Sequence, residues 1–181
     1  MSLEEARTLF LDRLTNTLQG IAKDAKAQVE FNPDVVASYR LIGYENRAVA
    51  DQDFRNDSVD AGELNSGHNA TALYQVQLRP AARGRIATVF LRWQEIDTRV
   101  VRELSGEINT WDLANSFEAA SPRYQMNAVV AEYAEILRRS PYSELSLAQL
   151  TPWAQHIAAL LPQDRDVQEL SSLIARASGL R

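Results

Sequence analysis

The apolar residues change their spacing along this chain, and those changes limit the folds open to it. Ala72, Tyr74, Val76 and Leu78 alternate with Thr71, Leu73, Gln75 and Gln77. A period of two is the signature of a half-buried strand. Ile86 to Ile96 continues in the same way, with Ala87, Val89, Leu91 and Trp93 on one face. Val100 to Ile108 reads as a strand interrupted near Ser105-Gly106. Shorter β-rich runs lie at Val29–Phe31, ended by Asn32-Pro33, and at Tyr39–Tyr44. Pro80 and Gly84 frame a turn.

From Trp111 onward the apolar residues recur every three or four positions instead. Pro122 suits a helix first turn, and Met126, Val130, Tyr133 and Leu137 would mark its inner face. Ser146 can cap a second helix, with Leu150, Trp153, Ile157 and Leu160 facing inward. Pro152 would kink that helix or mark its start, and Pro162 closes it. Asp166 to Ala177 makes a third amphipathic helix, with Gly179 as a stop.

Residues 3–25 also carry a helical stripe: Leu3, Ala6, Phe10, Leu14, Leu18, Ile21 and Ala25. The expected architecture is therefore α+β: an N-terminal helix, an antiparallel sheet or small β-sandwich, and a C-terminal cap of about three helices. The expected division is 1–25 for the helix, 26–110 for the β-rich domain and 111–181 for a helical subdomain packed on it. The abrupt start at Met1-Ser2-Leu3 suggests a piece of a longer protein.

Charge and composition narrow the function classes. A net charge of -5 argues against a broad nucleic-acid footprint. No apolar run reaches the ~18 residues that a membrane span requires, so membrane insertion by this chain is not expected. Cysteine is absent, which excludes disulfides, thiolate catalysis and Cys-ligated zinc. No cofactor motif stands out, and no residue is assigned a catalytic role.

Residues 45–69 break both periods. Asp, Asn, Ser and Gly dominate, with six acids against two bases, and a short helical turn is expected near Val49 and Phe54. A loop this long is uncommon in a compact domain and often functional. Asp53, Asp57, Asp60 and Glu63 offer the hard oxygen ligands that calcium accepts, but without EF-hand spacing. Glu45, Asn46 and Arg47 close a strand, and with Asp60, Glu63 and His68 they form a structural or binding loop. The preferred reading of this set is tethering of the loop to the sheet. His68 with Asp60 or Glu63 would be two-thirds of a hydrolase triad, but no Gly-x-Ser-x-Gly elbow accompanies it. On the strands, Arg92 and Arg102 could share an exposed face that meets an acidic partner. Trp93, Trp111 and Trp153 read as core anchors.

Three stretches together resemble a known bacterial family. They are Ile21-Ala22-Lys23-Asp24-Ala25-Lys26-Ala27-Gln28-Val29-Glu30-Phe31-Asn32-Pro33, then Tyr39-Arg40-Leu41-Ile42-Gly43-Tyr44-Glu45-Asn46-Arg47, then Asp60-Ala61-Gly62-Glu63 with Gly67-His68 and Thr71-Ala72-Leu73-Tyr74. The chain resembles the C-terminal region, of unknown function, that follows the von Willebrand factor type A domain in the YfbK-like group. The resemblance implies that residues 3–25 end, or lead out of, a type A domain. It also implies a setting at the cell envelope. The Asp-x-Ser-x-Ser metal loop of type A domains has no counterpart here; Asp57-Ser58-Val59-Asp60 has the wrong spacing.

Three functions follow as expectations. The first is a non-enzymatic protein-interaction or structural module whose partners are the upstream type A domain and a further protein. The second is a calcium- or carbohydrate-binding β-sandwich using the acidic loop 51–68. The third is a hydrolase built on His68.

Overall fold

The alternating segments pair as antiparallel strands, and the segments of longer period coil as helices. The computed structural model describes residues 20–43, 53–56, 62–66 and 69–180. These divide into two compact units, one ending at Asp112 and one beginning at Leu113.

The first unit holds β1 (Gly20–Phe31), β2 (Val36–Leu41), β3 (Gly62–Asn65), β4 (Tyr74–Leu78), β5 (Arg85–Glu95) and β6 (Val101–Asn109). One sheet has the order β3-β1-β5-β6 and the other pairs β2 with β4. All pairings are antiparallel. Cross-strand partners share a face. The register Lys26–Arg92–Glu103 therefore defines a polar face of the larger sheet. Ala27–Leu91–Leu104, Val29–Val89–Gly106 and Phe31–Ala87–Ile108 define an apolar one. Val35, Val36, Ile86 and Ala87 are buried together, with Val29, Phe31, Val76, Leu78 and Ala82 packed against them. The Phe31 ring stacks on Tyr39 at 4.1 Å and meets Tyr74 edge-on at 5.3 Å. The smaller sheet thus lies over one part of the apolar face.

Residues 20–25, expected as the end of a helix, are the first half of β1; residues 3–19 of that expectation lie outside the described residues. Asp24 has φ 49°, and the register slips between Lys23 and Lys26. This bulge inserts one residue and breaks the alternation. Of the expected helical stripe, Ile21 and Ala25 lie in this strand, and Ile21 is exposed. β3 was not expected within the acidic loop, and β6 runs unbroken through Ser105-Gly106. Arg92 and Arg102 do not share a face: Arg92 pairs with Glu103, and Arg102 pairs with Trp93. Trp111 is no core anchor, being 71% exposed.

The second unit holds α1 (Pro122–Leu137), α2 (Leu147–Leu160) and α3 (Arg165–Gly179). Ser121, Ser146 and Asp164 cap them, and Ser146 forms a reciprocal capping box with Gln149. Each such cap contributes about 1 kcal/mol. Pro152 sits inside α2 rather than starting it. Val129, Leu150, Ala154, Ile157, Val167 and Ile174 form the core, and Phe117 meets Trp153 edge-on at 5.0 Å. An Arg123–Asp164 ion pair links α1 to the start of α3.

The inner face of α1 is rotated from the expected one. Val130 and Leu137 are exposed, while Gln125 and Glu135 are buried. Gln125 Nε2 donates to the carbonyls of Glu118 and Ala120, and Glu135 accepts from Ser140 Oγ at 2.6 Å. These two polar side chains hold the segments before and after the helix. A hydrophobicity rule overlooks such buried polar groups; Gln125 is held through Nε2, while its Oε1 is buried with no hydrogen-bond partner among the described residues. Leu160 is likewise more exposed than expected.

Candidate functional site

The acidic loop touches the sheet through residues 53–56, which dock on its polar face. Phe54 is 3% exposed and meets Phe90 edge-on at 6.3 Å. Lys26 is 7% exposed, and its Nζ donates to the carbonyls of Asn56 at 2.6 Å and Asp53 at 3.5 Å. A buried ammonium needs such acceptors to offset its lost hydration. Arg55 grips Glu103 with two donors, Nη2 to Oε1 at 2.8 Å and Nε to Oε2 at 3.3 Å. Its guanidinium lies 5.8 Å from the Phe54 ring centre and 5.7 Å from that of Phe90. Arg92 reaches the same carboxylate at 3.2 Å.

The Arg55 hydrogen bond holds the Glu103 carboxyl below its usual range, with Arg55 and Arg92 charge adding to it. A lowered carboxyl value stabilises the folded state above the unfolded value and ceases to do so as pH falls through the folded one. The pairing should weaken once pH drops below the ordinary glutamate value of about 4.3. A carboxyl NMR titration should find the Glu103 midpoint below that value and shift it upward in Arg55→Gln. An unmoved midpoint would mean that the pair does not form.

Of the metal candidates, Asp53 and Glu63 lie among the described residues, on the docked segment and on exposed β3 respectively. The Asp53 carboxylate is met by Asn56 Nδ2 at 3.4 Å. Its backbone carbonyl faces the Lys26 ammonium, which disfavours a cation at that carbonyl. Among the described residues no three His, Asp or Glu side chains gather as a metal site. Asp57 and Asp60 lie outside the described residues, as do Glu45, Asn46, Arg47 and His68. His156 is exposed on α2.

Sequence reasoning missed Lys26, Arg55 and Glu103. Lys26 lies 27 positions from Asp53 and Arg55 lies 48 from Glu103, so no local pattern joins them. Phe54 was named only for a short helical turn, although it is the one Phe, Tyr or Trp of residues 45–69. Beside this tether a small pocket is lined by Asp24, Lys26, Arg92, Trp93, Gln94 and Val101. Its volume of about 70 Å³ falls well below the several hundred that a small-molecule site occupies.

The apolar face offers more surface. Leu91, Leu104 and Ile108 are 41%, 49% and 42% exposed. A side chain added at Gly106, between Leu104 and Ile108, would meet nothing within 4 Å. This is an open surface rather than a cleft.

Comparison with known proteins agrees with the resemblance. Residues 16–83 match the family described as "Uncharacterized protein YfbK, C-terminal". Over 194 aligned residues, covering 99% of the chain, the sequence is 32% identical to "Uncharacterized protein YfbK" of Escherichia coli (strain K12). The chain spans 34% of that protein's length. No solved structure matches it significantly.

Proposed function

The chain carries a YfbK-like C-terminal domain, and on that premise we propose that it is a non-enzymatic interaction module following a von Willebrand factor type A domain. The observation that carries this reading is the open apolar face formed by Leu91, Leu104 and Ile108. Large apolar side chains aligned on one sheet face favour leaving water, and exposed patches of this kind mark contact sites. Most of the E. coli relative lies outside the matched region, which leaves room for a partner in the same polypeptide. In this reading the acidic loop is a structural strap, held by Phe54 and Arg55.

Reading the gene upstream of the codon for Leu3 tests the proposal. An in-frame Asp-x-Ser-x-Ser loop is expected within about 200 residues, the scale of one domain. A stop codon immediately upstream would remove it.

A further inference from the structure

Residues 53–56 meet the larger sheet as a ligand meets a receptor. They form a turn in which the Asn56 amide donates to the Asp53 carbonyl at 3.1 Å. The sheet holds that turn in three ways. Phe54 is buried and meets the Phe90 ring edge-on. The Arg55 guanidinium donates twice to the Glu103 carboxylate, and Glu30 adds a further negative charge to its surroundings. The Lys26 ammonium reads the main chain itself, through the carbonyls of Asp53 and Asn56. An aromatic contact, a forked ion pair and captured backbone carbonyls are the means by which a short peptide is recognised.

The receptor half is built from the strands. Lys26, Phe90, Arg92 and Glu103 stand on β1, β5 and β6, with Lys26 paired opposite Arg92 and Arg92 opposite Glu103. Arg92 reaches the Glu103 carboxylate at 3.2 Å, which orients that group independently of Arg55. Vacancy carries a penalty. Without the turn the Lys26 ammonium loses two acceptors, and the Phe90 ring loses its aromatic neighbour to water. Such a face exchanges one occupant for another rather than standing empty.

We propose that the polar face of the larger sheet is a peptide-recognition site for an aromatic residue followed by arginine, held in cis by residues 53–56 and taken over by a surface turn of a partner protein that carries that pair. The incoming ring takes the place of Phe54 against Phe90, the guanidinium takes Glu103, and two main-chain carbonyls take Lys26. The tethered strap competes at an effective concentration on the order of millimolar, so it gates the site against weak ligands. Leu91 and Leu104 lie on the opposite face of the same strands. The peptide site and the apolar contact surface therefore stand or fall separately.

A fluorescein-labelled peptide with the sequence of residues 51–58 tests it, by anisotropy with the 181-residue chain. The double variant Phe54→Ala, Arg55→Ala loses the anchors of its own strap. It should bind the peptide at least about tenfold more tightly than the unmodified chain does. The same peptide carrying Phe54→Ala should bind the double variant at least about tenfold more weakly. Glu103→Gln added to the double variant should also weaken binding about tenfold, the size of a lost charge-assisted pair. If the double variant fails to fold, Arg55→Gln takes its place, and tighter binding than to the unmodified chain is again expected. Equal affinity for the unmodified chain and the variant would put the peptide elsewhere and overturn the proposal. So would indifference to Glu103→Gln, or no binding at the millimolar scale of the tether, which would leave the strap a structural closure alone.

Discussion

Replacing Leu150 by Ala should destabilise the helical unit by about 3 kcal/mol, within the range for a buried leucine that leaves a cavity. Leu150 is 1% exposed and belongs to the core with Ile157 and Ile174, themselves 1% and 0% exposed. It lies on the first turns of α2, so the cavity would open where α2 meets α1 and α3. A unit of this size loses roughly 4–8 °C per kcal/mol. Circular dichroism at the helical band should therefore show a transition about 15 °C lower. Leu150→Met, which conserves volume, should stay within about 1.5 kcal/mol of the parent. A Leu150→Ala transition that moved by less than about 3 °C would show that this core does not hold the helices together.

The second large effect is local. Phe54→Ala should free residues 53–56 from the polar face, with a loss of about 3 kcal/mol for a buried phenylalanine. Phe54 gives up its edge contact with Phe90, and Arg55 gives up an aromatic neighbour on each side. Lys26 also loses the two carbonyls that accept from its ammonium. The amide of Asn56 donates to the Asp53 carbonyl at 3.1 Å, and it is the reporter. Its hydrogen exchange should accelerate about 100-fold, the equivalent of the free energy lost. Because the sheet pairs through its backbone on either side, exchange at Phe90 should change much less. Equal acceleration at both positions would make Phe54 part of the global core, and no acceleration would mean that the tether does not depend on it.

The architecture was legible wherever one force decided the outcome. The strand at Tyr74–Leu78 alternates cleanly because one face meets the core and the other meets water. Ser146 and Gln149 announce the start of α2 because their side chains satisfy local backbone groups. Legibility failed where distant partners intervened. Gly20–Ala25 took a strand conformation because β3 and β5 flank it, although its apolar spacing resembled a helix. On α1, Gln125 and Glu135 occupy the inner face because residues five to seven positions away need their polar atoms. The loop strap was hidden for the same reason: Arg55 and Glu103 meet only after β1, β5 and β6 have aligned.

The bulge at Asp24 has a consequence for folding fidelity. Lys23 pairs opposite Gln94 and Lys26 opposite Arg92, so an odd spacing of three still puts both on the polar face. They are the chain's only lysines. In a regular strand the two would point to opposite faces, and one ammonium would enter the layer of Val29 and Val89. The extra residue thus acts as an indexing tooth. A misregistered pairing of β1 forfeits its apolar contacts and also strands a positive charge among hydrocarbons, so wrong registers are rejected twice.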